Sequence, residues 1–219
     1  MKVGIYSALY GRYDWPKPII EGLGVIPVMY TDNPDMVAPG WDVRVVDMEW
    51  VAPGNSMMQH KWWKTHPAEA RPDVDVSLWL DASMQIMVPD YVEKCLEALG
   101  DDDWSCVRHP SRACIYPEAD YSATLTWRYD PAKILPQRDF YRSIGHPDAW
   151  GLIATGANAR RHTDAVLEVS DQWWDECVRW SHQDQLSLPV LLRLNEERIK
   201  WNYNLPWFQW WHLHEHGGG

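Results

Sequence analysis

The chain has 219 residues, 46% of them hydrophobic, which is enough for one compact domain with a sizeable core; it is expected to run over residues 1–216, with a three-glycine tail at 217–219. Its 31 acidic residues outweigh 20 basic ones, giving a net charge of -11 and removing the electrostatic excess that carries non-specific binding to a phosphate polymer, so bulk nucleic acid is disfavoured as a partner. No apolar run reaches the length that spans a bilayer, and MKVGIYSALYG is too short for a secretory signal, so a soluble cytoplasmic protein without a membrane partner is expected.

In chain order, KVGIYSALY reads as a first strand, β-branched and aromatic, stopped by Gly11. GVIPVMYTDNP reads as a second, ending on the turn cluster Thr31, Asp32, Asn33, Pro34, and WDVRVVDMEW alternates as a third. NSMMQHKWWKTH opens with a helix-capping Asn/Ser pair and sets Lys61 and Lys64 on one helical face. VSLWLDASMQIM is expected as a single fourth strand, buried on both faces up to Asp81. PDYVEKCLEALG is the clearest helix, with Tyr91, Val92, Cys95, Leu96 and Leu99 at helical spacing and Gly100 as terminator. WSCVRHP is a short strand, and Ser111 to Gly145 reads as a loop followed by a helix over Gln137 to Ile144. GLIATGANARRH is another strand, followed by the helices DAVLEVSDQWWDECVRWS and QDQLSLPVLLRLNEE; no internal repeat, low-complexity tract or interdomain linker interrupts them.

Alternating strands and helices with short connections argue an α/β sheet covered by helices, in which ligands bind beyond the carboxyl ends of the strands. Polar residues gather at those expected ends: Ser7, Thr31, Asp32, Asp81 and His109. Asp81 and Ser83 form a relaxed D-x-D pair of the kind that holds a divalent cation against a diphosphate, although a turn aspartate has the same spacing. Lys61 and Lys64 suit phosphate oxygens or, equally, a solvated helix face. Asp184 and Gln185 stand at a helix start, where an acid also caps. His212, His214 and His216 share a face if their segment is extended, as metal ligands do, unless it is a tail. The four cysteines have no CxxC spacing and read as free thiols; no GxSxG, GxGxxG or P-loop is present. The sixteen tryptophans, against two phenylalanines, read mostly as core, with some as platforms for sugar rings.

In this order, YSALYGRYD, YTDNP, KWWKTHP, SLWLDASMQI, HPSRACIYPEA, QRDFYRSIG, ARRH and WWDECVRWSHQDQLSL resemble the motifs of the glycosyltransferase-like family catalogued as domain of unknown function six-one-six, from about residue 4 to about residue 192. Its plant members act in cell-wall and mucilage polysaccharide synthesis, and it also occurs in bacteria and phages, so for a phage protein the expected compartment is the host cytoplasm. The resemblance implies a GT-A-like fold with a mixed central sheet flanked by helices, a UDP- or GDP-type sugar donor, and a transfer assisted by Mn²⁺ or Mg²⁺. Asp81 matches the acid of the family's W-[VIL]-D strand end, Lys64 its lysine before that strand, His109 its histidine after the next, and Glu118 the E-A acid. Arg160 or Arg161 with His162 matches the R-x-H element, and Asp184 with Gln185 the R-D-Q-L-S motif. His66-Pro67 stands for the usual P-H pair and His182-Gln183 for Ser-Arg, so the role of that arginine does not carry over.

The resulting expectation is a hexosyl- or pentosyltransferase acting on a hydroxyl of a soluble protein, glycan or modified nucleotide. The donor base lies near Ser7, Ala8, Thr31 and Asp32; the cation is held by Asp81, Ser83 and His212; Lys61, His109, Glu118 and Arg161 shape the donor and acceptor pockets; and Asp184, Gln185 and Lys64 carry the chemistry. Asp184 would orient the sugar or, in an inverting scheme, deprotonate the acceptor; the D-Q pair is similar to that of glycogenin-like transferases, which favours retention. A non-catalytic carbohydrate- or protein-binding module on the same fold is the alternative, and a glycosylator of hypermodified DNA bases a third reading.

Overall fold

The computed structural model describes residues 1–206 and 209–214. Its strands are β1 Val3–Leu9, β2 Val28–Thr31, β3 Asp42–Val45, β4 Val76–Leu80, β5 Met84–Ile86, β6 Trp104–Arg108, β7 Ile153–Arg161, β8 Trp201–Leu205 and β9 Trp211–Leu213. Seven of them form one sheet in the order β3-β2-β1-β4-β7-β6-β8, and β5 pairs antiparallel with β9 in a separate ribbon. From β3 to β4 the neighbours are parallel, β7 runs antiparallel to both β4 and β6, and β8 is parallel to β6. All five residues of β4 are buried, as a central strand covered on both faces requires. The α/β class and the mixed central sheet flanked by helices, expected of a GT-A-like chain, are what the structure has.

The helices are α1 Ser56–Thr65, the short α2 Pro67–Ala70, α3 Tyr91–Leu99, α4 Ile115–Thr124, α5 Pro131–Ser143, α6 Asp164–Arg179 and α7 Asp184–Leu194. Local chemistry fixes several ends. The Asn55 side chain accepts from the Met58 N–H at the start of α1, Thr163 does the same for Val166 in α6, and Gly100 closes α3 at a positive φ of 56°. No described helix is long and apolar enough to cross a membrane.

Three expectations change. The SLWLDASMQI stretch is two strands, because the chain turns at Asp81, whose carbonyl accepts from the Met84 N–H at 2.9 Å, and restarts as β5 in the other sheet. The region after Ser111 holds two helices, α4 among them, and α5 begins at Pro131 rather than Gln137. The buried face of α4 is Ile115, Tyr116, Glu118, Ala119 and Ser122, and its two polar members hide the apolar period. The sequence reading places no element after the last helix, whereas β8 and β9 lie there; His216 and the 217–219 tail fall outside the described residues.

Trp79, Trp104, Trp173 and Trp211 are fully buried, while Trp15, Trp50 and Trp127 are exposed, so the tryptophans divide between packing and surface. All four cysteines are free and buried. Trp173 of α6 packs 6.0 Å from Trp104 and donates its Nε1–H to the Asp184 carbonyl at 3.1 Å, tying the start of α7 to the core. Trp173→Ala is expected to cost about 3–5 kcal/mol in urea unfolding. Trp173→Phe, which keeps most of the ring and loses the hydrogen bond, should cost about 1 kcal/mol; equal losses from the two would show that packing plays no part.

Candidate active site

The carboxyl end of β4, the amino-terminal half of β7, the inner face of α1 and the start of α7 enclose a cavity of about 470 Å³. Because β7 is antiparallel, its early residues Ala154, Thr155 and Gly156 reach the same sheet edge as the last residues of β4. The Gly156 carbonyl accepts the Asp81 N–H at 2.7 Å. A Cβ on Gly156 would stand 3.1 Å from Met84 Sδ and 3.3 Å from Asp81 Oδ2, so glycine keeps this wall open beside the carboxylate.

One turn of α1 supplies Lys61 and Lys64, and both ammonium groups are buried. Lys61 Nζ lies 2.7 Å and Lys64 Nζ 2.9 Å from Asp184 Oδ2, and Lys64 also reaches Asp81 Oδ1 at 3.3 Å. Thr155 Oγ1 accepts from Lys64 at 3.2 Å and donates to Asp184 Oδ1 at 2.9 Å. Trp79 Nε1 donates to Asp81 Oδ1 at 2.8 Å. Two positive and two negative groups therefore cancel where desolvating any one alone would cost several kcal/mol, of order 3–5. Burial would raise the Asp184 carboxyl, but Lys61 and Lys64 reverse that and hold it far below the usual carboxylate range. Asp81 is lowered in the same way, burial opposing and Lys64, His60 and Lys61 prevailing, and Lys61 is raised because Asp184 and Asp81 outweigh its burial. Asp81 alone of the four keeps substantial access to the cavity, with 32% of its side chain exposed.

His60, one residue before Lys61, belongs to this cluster too. Its Nδ1 lies 3.1 Å from the Ala8 carbonyl oxygen, which can only accept, so the ring proton sits on Nδ1. Nε2, left as an acceptor, lies 3.8 Å from Asp81 Oδ1. Burial, then Lys61, push its pKa down to about 3, against the weaker pull of Asp81, so the ring is neutral at pH 7.

A supporting layer lies on the far wall. Glu118 Oε1 accepts from Gln183 Nε2 at 2.9 Å and from Ser122 Oγ at 3.4 Å, and its Oε2 pairs with Arg112. Burial raises the Glu118 carboxyl, with Arg112 opposing. The His109 ring accepts the backbone N–H groups of Ser111 and Arg112 at 3.2 and 3.0 Å, shaping the turn that aims Arg112 at Glu118, and is not among the residues that line the cavity.

Of the residues singled out from sequence, Lys61, Lys64, Asp81, Ser83, Glu118, Asp184 and Gln185 come together around the cavity. The others stand elsewhere. Ser7 is buried within β1, and Ala8 reaches the site only through its carbonyl on His60. Thr31 and Asp32 hold turns, Thr31 Oγ1 accepting the Asn33 N–H at 3.1 Å and Asp32 Oδ2 the Gly11 N–H at 3.1 Å. Arg161 lies at the opposite end of the sheet, bonded to the carbonyls of Asp102 and Gly100, because β7 runs against its neighbours. Its neighbour Arg160 is buried under the site, its guanidinium bonded to the Lys64 carbonyl at 2.7 Å and to the Tyr6 hydroxyl. His212 is exposed on β9 opposite Gln85, and since Leu213 lines the cavity, strand alternation turns His212 away from it. Among the described residues no three His, Cys, Asp or Glu side chains gather as a metal-binding group. Sequence reasoning missed His60, Thr155, Gly156 and Gln183; the spacing of His60 four residues before Lys64 on one helix is the signal that could have found the first.

A cavity of paired lysines and carboxylates at the carboxyl edge of an α/β sheet suits a protein of the glycosyltransferase class. The family model described as TOD1/MUCI70, glycosyltransferase-like domain, matches residues 64–209, and the chain belongs to that family, as the order of its motifs implies. Among solved structures it is similar to the apo crystal structure of mouse xyloside xylosyltransferase 1, with a TM-score of 0.48 and 8% identity over 92% of this chain and 84% of that one. No curated protein matches the sequence.

The neutral histidines give the stability a sign with pH. His60 and the equally buried His146, at about 3 and about 4, bind their protons later than in the unfolded chain, near 6.5. Their contribution is whole above pH 6.5 and is lost as the pH falls towards 4, because the unfolded state takes up protons first. Urea unfolding should therefore show stability dropping between pH 6.5 and 5 by roughly 1.4 kcal/mol per pH unit for each; a flat profile there would contradict their neutral state.

Proposed function

We propose that this protein is a metal-dependent glycosyltransferase that moves a sugar from a nucleoside diphosphate to a hydroxyl of a soluble protein, glycan or modified nucleotide. The observation that carries the reading is the buried Lys61–Asp184–Lys64–Asp81 cluster opening onto the cavity through Asp81. A binding module gains nothing from four costly buried charges, whereas transfer from a diphosphate needs fixed charges where negative charge grows on the departing group.

The cluster is internally neutral, so the lysines alone do not balance a diphosphate; this supports the expectation of a divalent cation. The residues fit one. The open part of the Asp81 carboxylate and the Ser83 hydroxyl two residues on, which also lines the cavity, are oxygen ligands of the kind Mn²⁺ or Mg²⁺ takes when phosphates and water complete its shell. When bound, the cation supplies a Lewis acid at the diphosphate. Lys64, poised between Asp81 and Asp184, adds a point charge at the same place, and Thr155 and Trp79 hold those partners in register.

Asp184 is the wrong acid for a general base. A base works best with a pKa near the operating pH, and Asp184 sits far below it with both oxygens already accepting. Its role is to fix the two ammonium groups and face the donor sugar, with the Gln185 amide beside it, which supports retention over inversion. The nucleoside end is assigned to the wall formed by Tyr13 and Asp14, and the exposed ring of Trp127 at the cavity rim gives an acceptor sugar an apolar face.

The test is release of nucleoside diphosphate from a panel of UDP- and GDP-sugars with Mn²⁺. Asp81→Asn and Asp184→Asn are each expected to lower turnover by about 10²–10³-fold while the folded state persists in circular dichroism. Glycan binding by the wild type, with no release from any donor, would make it a binding module instead.

A further inference from the structure

We infer that His60 is a nitrogen ligand of the divalent cation, beside Asp81, and that the site therefore prefers Mn²⁺ to Mg²⁺. This rests on the metal-dependent reading above and extends it to a residue that no motif marks.

Two acceptor atoms stand near each other in the cluster. The Ala8 carbonyl occupies the one ring N–H of neutral His60, which leaves Nε2 as an acceptor, and 3.8 Å away is Asp81 Oδ1, also an acceptor. No proton lies between them to make a hydrogen bond; Trp79 and Lys64 serve Oδ1 from its other sides, and Nε2 is left as a nitrogen donor for a cation entering from the cavity. Neighbouring ligands of an octahedral ion at about 2.1 Å stand about 3 Å apart, so the 3.8 Å between these two atoms closes by under an ångström when they share one ion. A ligating histidine commonly gives its other N–H to a backbone carbonyl, which fixes the tautomer and the ring plane, and Ala8 does this.

The pair is also preorganised. The His60 ring is buried on the inner face of α1, lines the cavity, and packs edge-on at 5.3 Å against Trp79, the residue whose Nε1–H holds Asp81. One indole thus positions both ligands. Lys64, 3.3 Å from Asp81 Oδ1, opposes a bare cation there, so tight binding requires the charge of a diphosphate as well. A nitrogen in an otherwise oxygen shell raises affinity for Mn²⁺ above that for Mg²⁺, which prefers all-oxygen surroundings.

Mn²⁺ titration followed by its electron paramagnetic resonance signal, with UDP or GDP present, tests the inference, and pulsed spectra report nitrogen coupled to the bound ion. The variants are His60→Asn, whose amide overlays Nδ1 and keeps the Ala8 bond but has no atom at Nε2, His60→Gln, and His212→Ala as a second histidine; melting curves show that each folds. Wild type and His212→Ala should show histidine nitrogen coupling. In His60→Asn the coupling should vanish, Mn²⁺ should bind about 10–100-fold more weakly, and the preference over Mg²⁺ should narrow. Mn²⁺ bound by wild type without nitrogen coupling, or coupling and affinity that survive in His60→Asn, would remove His60 from the shell and leave the metal-dependent reading standing. Failure of wild type to take up Mn²⁺ with either nucleotide would end both.

Discussion

The site depends on one arrangement, the buried exchange of charge among Lys61, Asp184, Lys64 and Asp81. The four rest on three requirements of the fold. The lysines need the inner face of α1, Asp184 the first turn of α7, and Asp81 the end of β4, while Thr155 and Gly156 arrive only because β7 runs backwards through the sheet. None of these groups can leave water alone at acceptable cost, so the elements that carry them are held in one geometry by electrostatics as much as by packing. Arg160 extends the same logic one layer down: its buried guanidinium binds the Lys64 carbonyl and fixes the helix from beneath.

Much of this was legible in the sequence. The all-apolar β4, the amphipathic α3 and α6, and the Asn55-capped α1 carry their period and their punctuation openly. So does the acid at the end of a central strand, which the turn at Asp81 places on the cavity. Helix α4 was hidden because Glu118 and Ser122 face inward, where their hydrogen bonds satisfy them but a hydrophobic period does not record them. Strand direction was the larger gap. A parallel sheet would put Arg161 at the ligand edge, and the reversal of β7 puts it at the far end and brings Gly156 to the cavity instead. Ser7, Ala8, Thr31 and Asp32 look ligand-facing by position, but strand interiors and turns use them first.

The tryptophans show a similar division of labour that counting cannot reveal. Trp79 and Trp173 are buried yet polar in effect, each lending an N–H to an acid of the site, Asp81 by its carboxylate and Asp184 by its carbonyl. Phenylalanine is smaller and has no N–H to give, which supplies a physical reason for indoles at these two positions.

The ribbon of β5 and β9 has a consequence for how the protein matures. Leu213 completes the cavity wall, and the His214 N–H anchors it to the Ser83 carbonyl at 2.9 Å, joining the middle of the chain to its last described strand. Strands β1 to β7 and their helices can pair before β8 and β9 are made, since those pairings lie upstream. The charged cluster is thus built from elements that precede β9, and the wall in front of it is closed by one short antiparallel pairing between β5 and β9.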